Sequence, residues 1–172
     1  PLSNDTSSEF GTITSCNNQD ICWVEGLLST IYDVFLDQIV DGQIYTKGTG
    51  ERDPSREHWT RLHELNLAQN ALLVFDRGYY SKELYEDLVS DGCHVLMRLN
   101  KGNHLTRLGS DDFSWTAASA DGKPVLYRIV RVPLPEQSNE EAEYLVTNIT
   151  DPSISPALLY NLYFERWNIE TK

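Results

Sequence analysis

Four residues, Asp76 in the middle of the chain and Tyr163, Arg166 and Glu170 near its end, have the types and spacing that phosphoryl chemistry uses. At about 100° per residue, Tyr163, Arg166 and Glu170 project within about 60° of one another on a helix, beside a face holding Leu158, Leu162 and Ile169. A solvated Arg166–Glu170 pair, worth about 0.3–0.5 kcal/mol, accounts for the same spacing without a function. Asp76 follows the apolar run Ala71 to Phe75, which reads as a strand covered on both faces; a carboxylate there lies at the carboxyl end of the sheet, where open α/β folds take their ligands. The alternative is a turn Asp bonding a backbone N–H, with Gly78 supplying a positive φ. Taken together, a strand-end Asp and a helix-edge Glu supply the hard oxygen ligands of a Mg²⁺ (or Mn²⁺) site for phosphoryl transfer. Arg166 then offers a phosphate a bidentate fork, and the Tyr163 phenol one further donor.

These residues need elements to hold them. Trp23 to Tyr45 is rich in Val, Ile, Leu, Tyr and Phe, with Asp41-Gly42 near its end, and predicts two adjacent antiparallel strands. A Gly-rich loop, Thr46 to Arg52, leads to Asp53-Pro54 as N-cap and first helical residue, and Trp59, Leu62 and Leu65 extend that helix to about Asn70. After the Ala71–Phe75 strand, Ser81 caps a short helix with Leu84, Leu88 and Val89 on its buried stripe, stopped by Gly92. Residues 93–149 turn β-rich: CHVLMRLN, FSWTA, PVLYRIVRV and EYLVTNI read as strands separated by turns such as Asp121-Gly122. The acidic run Glu136 to Glu143 reads as a solvated loop. Ser155-Pro156 opens a last helix that meets no stop signal before Lys172.

With 172 residues, 40% of them hydrophobic and 23% charged, the chain has an ordinary globular composition and needs neither disulfide nor metal to hold a core. No stretch approaches the roughly 20 apolar residues of a membrane span, and the polar start Pro1 to Asp20 lacks a secretory pattern, so a cytosolic protein is expected. Cys16, Cys22 and Cys93, with four His, show no zinc spacing. The net charge of −12 argues against a broadly basic nucleic-acid surface, but residues 70–135 are balanced at 8 basic and 8 acidic groups, so a polyanion contact is expected there.

The order of these blocks resembles the bacterial insertion-sequence DDE transposases of the ribonuclease-H-like superfamily, in the insertion-sequence-four-like branch with a Tyr-x2-Arg-x3-Glu-x6-Lys helix signature. Tyr163, Arg166 and Glu170 fit that spacing, and VFDRGYYS at Val74 to Ser81 is similar to the second catalytic block. The resemblance implies an α/β fold over residues 1–172: a ribonuclease-H-like mixed sheet with flanking helices and a β-rich insertion at 93–150, between the second and third acids. It implies Asp76 and Glu170 as catalytic metal ligands for Mg²⁺ or Mn²⁺, and Tyr163, Arg166 and Arg98 as DNA contacts. Arg98, Lys101, His104 and Arg107 make the densest basic segment, and a solvated strand end is the competing reading. The implied partners are transposon-end duplex DNA, target DNA and a second copy in a synaptic dimer, at the bacterial nucleoid and not a membrane. On this reading the first acid precedes residue 1 and the signature Lys follows Lys172, so a domain fragment with weak metal binding and no cleavage of its own is expected. A decayed copy acting as a binding module, and a stand-alone nuclease, are the rivals.

Overall fold

The computed structural model describes residues 13–14, 22–23, 25–46, 48–108, 111–136, 138 and 140–169. They form two compact units, residues 1–64 and 65–172. Among the described residues no helix is long and apolar enough to cross a membrane.

The first unit is built on a hairpin. Strands β1 (Ile13–Thr14) and β2 (Cys22–Trp23) make a short antiparallel pair beyond the two strands expected, and β3 (Gly26–Asp33) and β4 (Gln38–Thr46) make the longer pair that the β-branched and aromatic content of Trp23 to Tyr45 predicts. The connection lies at residues 34–37, where the Asp33 carboxylate accepts the N–H groups of Phe35 and Leu36, both at 2.9 Å, and Asp37 takes a φ of 57°. Asp41-Gly42 therefore sits inside β4, opposite Ile31 and Thr30. Helix α1 (Arg52–Glu64) begins ahead of the expected Asp53 cap, so Asp53 and Pro54 lie inside its first turn, and it buries Trp59 and Leu62. It ends at Glu64, not near Asn70: Leu65 is 61% exposed, and Asn66 and Asn70 each adopt φ 57°, a left-handed conformation that asparagine tolerates and a helix cannot continue through.

The second unit carries a five-stranded mixed sheet in the order β5-β6-β9-β8-β7. Strand β5 (Leu72–Phe75) connects through helix α2 (Lys82–Ser90) to the parallel strand β6 (His94–Arg98), a βαβ crossover. Ser81 Oγ accepts the Leu84 N–H at 3.1 Å, and Gly92 at φ 85° ends the helix turn. A short 3₁₀ turn, His104–Arg107, precedes β7 (Asp112–Ala118), β8 (Pro124–Pro133) and β9 (Ala142–Thr147), all antiparallel, with β9, the last in sequence, at the centre. The β-rich stretch 93–150 thus continues the sheet begun by β5.

Helix α3 (Pro156–Phe164), capped by Ser155 Oγ on the Leu158 N–H at 3.2 Å, lays Leu159 and Tyr163 on Leu96, Val130 and Leu145. Leu158, expected on the buried face, is 45% exposed while Leu159 is fully buried, one position round the helix. The α-helix gives way to a 3₁₀ helix at Glu165–Ile169, so the α-helical angle expected between Tyr163 and Arg166 does not hold through this segment. Two side chains brace the sheet beyond its ladder bonds. Buried Arg128 grips Asp112 with Nε and Nη2, both at 2.8 Å, and reaches the carbonyls of Ile149 and Asp151 at 3.3 and 3.2 Å. Asn148 accepts the Val95 N–H at 2.9 Å and donates to the Cys93 carbonyl at 2.8 Å, completing the β6 ladder with a side-chain amide.

Candidate active site

Parallel pairing sets the site. Phe75 pairs with Met97, so the next residues along the two strands, Asp76 and Arg98, stand side by side at their carboxyl ends, and Arg98 Nη1 lies 4.0 Å from Asp76 Oδ1. Strand β9 runs the other way, with Leu145 opposite Arg98, and brings its opening residues to the same end: Arg98 Nη2 is 2.6 Å from Glu143 Oε1 and 3.7 Å from Glu140 Oε2. Arg77 donates to both Glu140 oxygens, at 3.2 and 3.3 Å. The turn is held by the Tyr79 N–H on the Asp76 carbonyl at 3.1 Å and by Asn100 Nδ2 on the Arg77 carbonyl at 3.3 Å.

Helix α3 closes the site from its buried face. Tyr163 is 1% exposed, and its hydroxyl donates to Asp76 Oδ1 at 2.7 Å, the distance at which the Arg77 N–H also donates to that oxygen. One 3₁₀ turn on, Arg166 places Nη2 3.6 Å from Asp76 Oδ2, with its guanidinium against the rings of Tyr163 and Trp167 at 5.5 and 4.8 Å. The two carboxylate oxygens therefore differ. Oδ1 takes two hydrogen bonds, and Oδ2, among the described residues, takes none.

The charges shift accordingly. Burial pushes the Asp76 carboxyl up, but the Tyr163 hydroxyl, the Arg77 N–H and the Arg166 and Arg98 guanidiniums outweigh it and hold the group below the ordinary carboxylate value. The Tyr163 phenol moves the other way, pushed up to about 12 by burial and by the anion it bonds. Glu143 is raised, because burial and the neighbouring Glu140 and Asp76 carboxylates exceed the pull of Arg98 and Arg77; Glu140, on the rim, is lowered chiefly by Arg77.

The structure brings together Asp76, Tyr163, Arg166 and Arg98 of the five expected site residues; Glu170 lies outside the described residues. It gives two of them partners other than the expected phosphate: the Tyr163 phenol is buried on Asp76, and the Arg98 head is only 13% exposed among carboxylates. The acidic run is not wholly solvated, since Glu143 opposes Val132 in the β8–β9 ladder and its side chain is 11% exposed. Alternation points to this, because Glu143 stands two residues before Leu145 and shares its strand face, on which Leu145 is fully buried. Asp76 supplies one hard oxygen, Oδ2, suited to a divalent cation; among the described residues no three His, Cys, Asp or Glu side chains group as metal ligands.

A second polar cluster occupies the first unit. His58, 1% exposed, places Nδ1 2.6 Å from Asp41 Oδ2 and Nε2 3.0 Å from Ser29 Oγ, while Arg61 Nε donates to the same Asp41 oxygen at 2.7 Å. A proton on Nδ1 serves Asp41 and leaves Nε2 to accept from Ser29. The order Ser, His, Asp is that of a nucleophilic triad, but the imidazole is sealed from solvent and Arg61 already neutralises the acid, so the network pins α1 to the hairpin. Asp41 is held below the ordinary value: burial raises it, and His58 and Arg61 outweigh burial.

A family model described as the transposase DDE domain matches residues 11–172. No curated protein matches the chain.

Proposed function

The chain belongs to the transposase DDE-domain family, and from that premise we propose that it contributes two acids, Asp76 and Glu170, to metal-dependent cleavage and joining of DNA at transposon ends. The observation that carries this reading is the asymmetric Asp76 carboxylate, with Oδ1 held by Tyr163 and Arg77 and Oδ2 facing Arg166. Its place at the carboxyl end of β5 suits a ribonuclease-H-like sheet, with 93–150 the β-rich stretch between the two acids. The chemistry a bound Mg²⁺ or Mn²⁺ supplies there is charge stabilisation of an in-line phosphoryl displacement. Asp76 Oδ2 and Glu170 would hold it. Arg166 offers its fork to a phosphate oxygen, and Arg98, oriented by Glu143, offers a second cation to transposon-end or target DNA. The working assembly is a homodimer on paired ends, in the bacterial cytoplasm at the nucleoid.

A second reading has its own observation. The three guanidiniums at the site, Arg77, Arg98 and Arg166, are each within 4.0 Å of a carboxylate, and the chain carries −12, which suits a decayed copy that binds without cleaving. Nicking of supercoiled plasmid with Mn²⁺ separates the two. In any length of this protein that nicks, Asp76→Asn and Glu170→Gln are expected to stop the reaction, and nicking at the parent rate by Asp76→Asn removes the transposase reading of that residue.

A further inference from the structure

We propose that Tyr163 is a positioning residue for Asp76: its buried phenol, with the Arg77 N–H, fixes the carboxylate so that Oδ2 is the oxygen presented to a divalent cation. The proposal rests on the reading of Asp76 as a metal ligand. The geometry supports it in three ways. Tyr163 is packed to 1% exposure against Leu96, Val130, Leu145 and Leu159, so its hydroxyl has one direction in which to donate. Its bond to Oδ1, at 2.7 Å, is matched by the Arg77 N–H at 2.7 Å, and two donors on one oxygen define both the rotamer and the plane of the carboxylate. The remaining oxygen takes no hydrogen bond among the described residues, and Arg166 Nη2 at 3.6 Å stands outside hydrogen-bond distance. The bond spans 87 residues, so α3 and the β5 turn fix the acid only when both are docked.

This differs from a phosphate contact, which needs the phenol to reach solvent. It predicts that Tyr163→Phe leaves the packing of α3 in place, since the ring stays, but frees the Asp76 side chain to sample other rotamers. A freed carboxylate must be ordered again on binding, which weakens cation binding by about 2- to 10-fold.

The test uses the isotope-labelled chain in three forms: parent, Tyr163→Phe and Asp76→Asn. Three-bond couplings to Asp76 Cγ report its χ1 population without metal, and Mn²⁺ titration reports binding through paramagnetic broadening of the Arg77 and Gly78 amides. The proposal expects a single rotamer in the parent, averaged couplings in Tyr163→Phe with an unchanged amide spectrum elsewhere, and broadening that needs more Mn²⁺ in Tyr163→Phe and vanishes in Asp76→Asn. A single unchanged rotamer in Tyr163→Phe overturns the positioning role whatever the metal does. Equal Mn²⁺ response in parent and Tyr163→Phe, lost in Asp76→Asn, overturns it while leaving Asp76 a ligand. Broadening that is the same in all three forms, or absent from all three, overturns the metal reading of Asp76 and the positioning role with it.

Discussion

The Asp41–His58 network and the Asp76 cluster are assembled from the same kinds of group, a carboxylate held by an arginine and a ring donor, yet they finish differently. At Asp41 a single oxygen takes His58 and Arg61, the imidazole is sealed, and its second nitrogen is used by Ser29. At Asp76 the donors converge on Oδ1, and the nearest charge to Oδ2 stops at 3.6 Å. Each network loads one carboxylate oxygen, but the Asp41 side chain is 16% exposed and its imidazole partner is spent on Ser29, whereas Asp76 is 38% exposed at the end of a strand. Burial, ion pairing and, among the described residues, one unbonded carboxylate oxygen are common to both clusters, so what marks the Asp76 cluster is its more exposed place at the carboxyl end of β5.

The two clusters should part most clearly when their acids and rings are replaced. Asp76→Asn should abolish Mn²⁺-dependent nicking in any length of the protein that shows it, while urea unfolding shifts by only about 1 kcal/mol, because Tyr163 keeps an acceptor. A variant that unfolds early instead makes Asp76 a structural acid. His58→Ala should do the reverse, costing about 3 kcal/mol by leaving Asp41 and Ser29 without their shared partner. That corresponds to a drop in melting temperature of roughly 6–12 °C. A melting temperature within a degree of the parent shows that the closed network does not hold the first unit.

How much of this could be read from the chain depends on the range of the interaction. The strand-end Asp76, the Ser81 and Ser155 caps and the turns at Gly92 and Gly122 are local, decided by φ preferences and side-chain donors within a few residues, and the structure has them where they are expected. The Tyr163–Asp76 bond joins residues 87 apart, and no pattern along the chain distinguishes a phenol that meets a carboxylate from one that meets a phosphate. Glu143 hid in an acidic run because composition outweighed alternation in reading that stretch. Leu65 and Leu158 failed because apolar spacing says that a face exists and not that a partner covers it; asparagines at φ 57° ended one helix, and a one-position rotation exposed the other leucine.

Smaller effects separate the two clusters further. Arg166→Ala should flatten the salt dependence of duplex binding by roughly one counterion between ~50 and 200 mM, measured by fluorescence anisotropy. Arg61→Ala, from the closed network, should leave that slope unchanged. If Arg166→Ala binds with the parent's slope, the Arg166 guanidinium makes no phosphate contact in that complex. Acid gives the smallest difference. Asp41 and Asp76 sit below their unfolded value of about 3.9, so their stabilisation is complete above that pH and is lost as pH falls through the lower folded values; Glu143, raised, contributes below its unfolded value of about 4.3 and loses that contribution as pH rises through its folded value. Melting curves should therefore fall for the parent below about pH 4 and fall less steeply for Asp41→Asn. Parallel curves would show that Asp41 titrates alike folded and unfolded.

The central place of β9 also decides the order in which the sheet can be completed. The hairpin β7–β8 and the crossover pair β5–β6 are each local, but they are joined only when the final strand slides between them, and the Val95 amide waits for an Asn148 that lies 53 residues further on. Until then β6 presents an open edge whose Val95, Leu96 and Met97 side chains are entirely hidden in the finished fold. A nascent or truncated chain that stops short of β9 therefore holds two half-sheets with facing unpaired edges, the condition under which strands recruit a neighbouring molecule, so the span from emergence of β6 to emergence of Asn148 is the interval in which this protein most needs protection from aggregation.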